Sequence, residues 1–131
     1  MYREVLEVRR EALGNRHPRT LGSINNLGAL LKDKGDLTAA EPLYREDLEV
    51  SRETLGDRHP NTLVFTSNLG VLLQTKGDLA AAEPLHREAL EGRHETLGDL
   101  HPSTLTSRNN LGALLQTMDD LTFTESSAAR V

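Results

Sequence analysis

The chain of 131 residues has a formal net charge of −5, no cysteine, and only 3% aromatic residues with no Trp among them. Such a chain repels phosphate on average, has no thiolate for a disulfide or metal site, and lacks the stacking platforms that hold nucleobases. Its core must be built from Leu and Ala, which favours closely packed helices over a β-sandwich. The start "MYREVLEV" carries no basic leader, and no apolar run approaches membrane-spanning length, so the expectation is a cytosolic address without nucleic-acid or membrane partners.

The first predicted element is a helix over residues 1–13, in the phrase "MYREVLEVRREALGNRHP". The phrase returns after 42 residues as "LYREDLEVSRETLGDRHP" (Leu43–Pro60), and after another 42 as "LHREALEGRHETLGDLHP" (Leu85–Pro102). A fixed period of this length is the signature of a repeat array. Arg19–Pro60 and Asn61–Pro102 align without a gap and agree at 27 of 42 positions.

The next element, "TLGSINNLGALLKDKG" (Thr20–Gly35), places Leu21, Ile24, Leu27, Gly28 and Leu31 at helical spacing, with Leu30 widening the stripe. The following one, "DLTAAEPLYREDLEVSRETLG" (Asp36–Gly56), has Leu37, Ala40, Tyr44, Leu48 and Leu55 on one face. Arg45, Glu46, Glu49, Arg52 and Glu53 fill the other. Gly14, Gly56 and Gly98 suit the left-handed position that ends a helix, and the Pro of each "HP" pair suits the first turn of the next. Gly35 and Gly77 end the first helix of each unit, and Asp36 and Asp78 can cap the second. Pro42 and Pro84 conflict with a helix that starts at the capping Asp, which favours a late or irregular start. Gly28, Gly70 and Gly112 sit inside first helices, where close approach by a second helix with its small Ala40 or Ala82 would justify them. The same pattern then predicts a first helix over about 103–118 before the repeat decays.

The ordered pieces Asn-Leu-Gly, Gly-Asp-Leu, Ala-Ala-Glu-Pro-Leu and Leu-Gly…His-Pro resemble tetratricopeptide repeats of the 42-residue kinesin light chain type. The resemblance implies an all-α, right-handed α-solenoid of antiparallel helix pairs whose concave face holds partners. Its divisions are a solitary second helix (1–18), two whole repeats (19–60 and 61–102) and a degenerate third (103–131). Four departures stand out: Asp47 where Ala89 is small, Thr66 and Arg108 where Ile24 is apolar, Asp119 where Gly35 and Gly77 stand, and "FTESSA" for "AAEPLH".

In such families the first-helix positions opposite the core line the groove. Here these are Asn25, Asn26 and Lys32, then Asn68 and Gln74, then Asn109, Asn110 and Gln116. Amides both donate and accept, so they can hold a peptide backbone whatever its side chains. The competing reading has Asn26, Asn68 and Asn110 bonded to the neighbouring repeat, shaping the array only. Grooves of this kind that accept acidic peptides use basic residues, and only Lys32 and Arg108 qualify here. His17, His59 and His101 fall one to a joint, about 10 Å apart by helix spacing, too far to share an ion. His86 and His94 are expected to be exposed. No nucleophile motif or cofactor loop occurs, so the expectation is no enzyme, cofactor or metal. The function expected is a scaffold or adaptor that binds a protein or peptide. Two alternatives are a self-assembling fragment joined through its incomplete ends, where Val5, Leu6, Val8, Leu111, Leu114 and Leu115 lack cover, and the sensor arm of a larger signalling ATPase.

Overall fold

The computed structural model describes residues 2–14 and 17–129, so residues 1, 15, 16, 130 and 131 of the predicted terminal units lie outside the described residues. Among the described residues six helices follow one another: α1 (Tyr2–Leu13), α2 (Pro18–Asp33), α3 (Leu37–Leu55), α4 (Pro60–Lys76), α5 (Leu79–Leu97) and α6 (Pro102–Ala129). Each packs chiefly on the helix before and after it, and α4 also touches α6. There is no strand among the described residues, and the arrangement is an all-α helical repeat solenoid.

Local chemistry explains the punctuation. The "HP" joint places Pro at the start of α2 and α4, while the preceding His17 and His59 are extended, with ψ of 139° and 140°. The histidine is itself the cap: Nδ1 of His17, His59 and His101 accepts from the backbone N–H of Arg19, Asn61 and Ser103, each at 3.1 Å. Each hairpin turns through Gly-Asp. Gly35 and Gly77 have positive φ, and their N–H groups donate to Lys32 and Gln74, while those of Asp36 and Asp78 donate back to Leu31 and Leu73. The carboxylates of Asp36 and Asp78 then accept from Ala39 and Ala81 N–H to open the second helix.

Three expectations need correction here. The second helices begin at Leu37 and Leu79, directly after the capping Asp, and run on through Pro42 and Pro84. The carbonyls that lose a partner belong to Thr38 and Ala80, both exposed, so water can satisfy them and a late start is unnecessary. Gly56 and Gly98 do have positive φ, but with ψ of 162° and 169° they are extended rather than left-handed, a region open to Gly alone. Finally, α6 does not stop near residue 118 but continues to Ala129. Asp119 replaces the glycine that would have made the turn, and an aspartate resists the positive φ that Gly35 and Gly77 adopt.

The core is the predicted Leu–Ala stripe: Leu21, Ile24, Leu27, Leu31, Ala40, Tyr44 and Leu48 are buried, and Leu69, Leu72, Leu73 and Ala82 repeat the set. The helical glycines are indeed sites of close approach, though rings rather than alanines make it. A Cβ on Gly28 would lie 2.8 Å from Cε1 of Tyr44, and one on Gly70 would lie 3.1 Å from Cε1 of His86. His86 is therefore buried, against expectation, because position 86 is the ring position of its repeat. At the ends, Leu6, Leu111 and Leu114 are covered by the interior, and Val5, Val8 and Leu115 are the ones exposed.

Gly70→Leu should overpack the His86 contact and cost about 1–3 kcal/mol, read as a lower urea midpoint at unchanged m-value. An unchanged midpoint would refute the close approach.

Candidate functional site: the first-helix face

The face predicted to hold partners is carried by α2, α4 and α6, and the structure divides its eight residues into four groups. Asn68 Nδ2 donates to Asn25 Oδ1 at 3.2 Å, a bond from α4 to α2 that ties one repeat to the next. Gln74 and Asn110 line one cleft between α4 and α6, about 430 Å³, together with Val71, Thr75, Leu79, Ala113 and Thr117. Gln116 donates to Asp120 along α6 at 3.0 Å and belongs to a different cleft at the chain's far side. Asn26 and Asn109 are exposed, and Lys32 is half-buried beside the Asn25 line.

Gln74 also bonds within its own repeat. Its Oε1 lies 3.2 Å from Nε2 of His86. Burial holds the His86 ring below its ordinary pKa, so it is neutral, and with Oε1 as acceptor the proton sits on Nε2. Gln74 also lines the cleft. Thr75 and Thr117 turn their hydroxyls back to Val71 and Ala113 carbonyls, so the threonines present methyl groups rather than donors. The cleft thus combines an apolar lining with two amide side chains.

The seams between repeats decide how rigidly this face is held, and sequence reasoning missed their chemistry. At the α1–α2 seam, Arg9 Nη1 donates to Arg19 O and Ser23 Oγ, and Thr20 Oγ1 donates to Arg9 O. The α5–α6 seam repeats this with Arg93, Ser103 O, Ser107 Oγ and Thr104. At α3–α4 the equivalent positions are Ser51, Thr62 and Phe65, and Ser51 Oγ and Thr62 Oγ1 are buried without a protein partner. Asp47 lies on the same α3 face, fully buried, with neither carboxylate oxygen hydrogen-bonded. Burial, reinforced by Glu46 and only partly opposed by Arg10, pushes its pKa up to about 8. The 42-residue comparison did carry the signal, since Asp47 and Ser51 stand opposite Ala89 and Arg93.

Elsewhere charged pairs bind the second helices together. Arg10 grips Glu46 with both nitrogens, at 2.9 and 2.8 Å, and Arg52 pairs with Glu88 one repeat on. Lys76 and Arg45 converge on Glu41 and hold its carboxyl below the usual range. Among the described residues no group of three or more His, Asp or Glu is placed to hold a metal ion. No described helix is long and apolar enough to cross a membrane.

The Tetratricopeptide repeat profile matches residues 21–95 and 64–122, and a second one of the same description matches residues 1–19. The chain belongs to the tetratricopeptide repeat family. Its solved relatives in fold include BtubC (BKLC) from P. vanneervenii, 26% identical with a TM-score of 0.82, covering 98% of this chain and 52% of that one. Another is the Podosopora anserina putative kinesin light chain with nearly identical TPR-like repeats, 24% identical with a TM-score of 0.85, covering 92% of this chain and 57% of that one. A point variant of that Podosopora anserina protein aligns at 22% identity and a TM-score of 0.79, covering 98% of this chain and 61% of that one. None of the curated proteins matches. This tetratricopeptide chain therefore spans about half the length of those structures, whose fold it shares. Tetratricopeptide repeats are protein-interaction or scaffold modules and are generally non-catalytic.

A raised carboxyl pKa sets the sign of one test. Protonated Asp47 fits the seam and ionised Asp47 does not, so its contribution is complete below the ordinary 3.8 and is lost as pH rises through about 8. Asp47→Ala should remove that slope and raise stability near pH 8 by on the order of a few kcal/mol, measured by urea denaturation across pH. Ser51→Arg should also stabilise, by placing at this seam the guanidinium that Arg9 and Arg93 supply at the others, with Asp47 one helical turn away.

Proposed function

We propose that this tetratricopeptide array is a non-catalytic adaptor that holds a peptide or protein segment along α2, α4 and α6. The observation that carries the reading is the α4–α6 cleft, where the Gln74 and Asn110 amides flank an apolar lining of Val71, Leu79 and Ala113. Amides paired across such a strip suit a peptide backbone, and the apolar lining takes a small side chain between them. Asn25 and Asn68 act differently: bonded to one another, they set the spacing of α2 and α4. Only Lys32 and Arg108 bring positive charge near the face, so an acidic peptide is not the preferred ligand. No observation on these residues favours the sensor-arm reading over this one.

The test is a peptide-library selection against the unaltered chain, followed by titration of the enriched peptides against Gln74→Ala and Asn110→Ala. Each substitution removes one amide contact and should weaken binding about 5–30-fold; Asn110→Ala should leave the melting temperature within a few degrees, whereas Gln74→Ala also strips buried His86 of its partner and should lower it further. Enriched peptides that bind both variants with unchanged affinity would overturn the assignment of this cleft.

A further inference from the structure

The first helices carry a ladder of side-chain amides, and one rung of it is broken inside the array. Asn68 Nδ2 on α4 donates to Asn25 Oδ1 on α2, a residue 43 positions earlier in the chain. One period on, the donor is kept as Asn110 on α6, but the acceptor position holds Ser67. The shorter side chain does not complete the bond. Ser67 is 7% exposed, and its Oγ is buried without a hydrogen-bond partner. Among the described residues the Asn110 carboxamide has no partner either. A buried hydroxyl and the amide opposite it in register thus both lack the bond that the preceding pair of first helices makes.

The unengaged amide belongs to the α4–α6 cleft. Of the other polar side chains that line it, Thr75 and Thr117 donate to carbonyls of their own helices, and Gln74 Oε1 is bonded to His86. No lining residue is charged, so the cleft offers no counter-ion to a buried carboxylate or ammonium. Resting on the adaptor reading above, we propose that a primary carboxamide, the side chain of Asn or Gln in the bound peptide, completes the broken rung at Asn110. It does for Asn110 what Asn25 does for Asn68.

The closed rung supplies the argument for this occupant. Where the array completes the rung by itself, the group it uses is a carboxamide. Such a group both donates and accepts, so it serves the nitrogen and the oxygen of the Asn110 amide alike. An aliphatic side chain in the same place leaves that amide unpaired beside Val71 and Ala113. A carboxylate enters an uncharged cleft on a chain of net charge −5. The residue that separates the closed rung from the receptive one is Asn25 in one repeat and Ser67 in the next.

The experiment selects a random linear-peptide library on the unaltered chain. An enriched peptide is then titrated in three forms, with the carboxamide, the matching carboxylate or Leu at the recurring position. Enriched peptides should share an Asn or Gln at one position, and changing it to the acid or to Leu should weaken binding about 5–20-fold. Ser67→Asn rebuilds the rung within the chain and should leave the three forms equally bound. Asn110→Leu keeps the volume, removes both polar atoms and should give the same result, which covers the case of a Ser67→Asn chain that does not fold. Circular dichroism establishes that each variant is helical. Enrichment without a recurring Asn or Gln overturns this inference and leaves the adaptor reading standing. A carboxamide preference that survives in folded Asn110→Leu or folded Ser67→Asn overturns it as well. A selection that enriches no peptide overturns the adaptor reading, and this inference with it.

Discussion

The structure depends on whether a first helix can turn back on itself. Its apolar stripe lies half hidden until a second helix covers it, and only the Gly-Asp step brings that helix round. The glycine adopts a φ of 86° or 91°, and the aspartate both closes the first helix with its N–H and opens the second with its carboxylate. Where the step occurs, at residues 35–36 and 77–78, a hairpin closes and a ring drops onto the helical glycine opposite. Where Asp119 interrupts it, α6 extends instead, and the glycine at 112 faces open space.

Stacking adds a second level of control. In a solenoid each unit leans only on its neighbours, so the seams decide how the whole is held. Two seams are satisfied by a buried or half-buried arginine that bonds a backbone carbonyl and a serine of the following helix. The α3–α4 seam gives up that arginine for Ser51 and Phe65 and receives a carboxyl in its place. A lone carboxyl in such surroundings is tolerated in its neutral form, at the expense of stability in the charged one. The core of this seam therefore takes part in setting how the array responds to proton concentration, while its rim is held by the Arg52–Glu88 and Lys76–Glu41 pairs.

The candidate face follows from this division. The α4–α6 cleft lies on a first-helix row whose spacing is set by the seams and by the Asn68–Asn25 bond.

The order of the helices, the aspartate caps, the Gly-Asp turns and the Leu–Ala stripe were legible in the sequence, because each depends on contacts within a few residues or on a spacing repeated every 42; the run through Pro42 and Pro84 and the extension of α6 were not. The candidate face was legible only as a set of positions: Asn25, Asn68, Gln74 and Asn110 read alike in the chain. The tertiary structure separated them, because whether an amide meets another repeat or a cleft depends on how neighbouring helices are offset. His86 became a core residue for the same reason, since the Gly70 notch that receives it belongs to another helix. Asp47, conspicuous in the alignment, acquired its meaning only when the fold placed it in a seam from which the partnering arginine was missing. Local sequence settled which helices form and where the Gly-Asp and His-Pro joints fall, and the packing of one hairpin on the next decided what each buried or exposed side chain does.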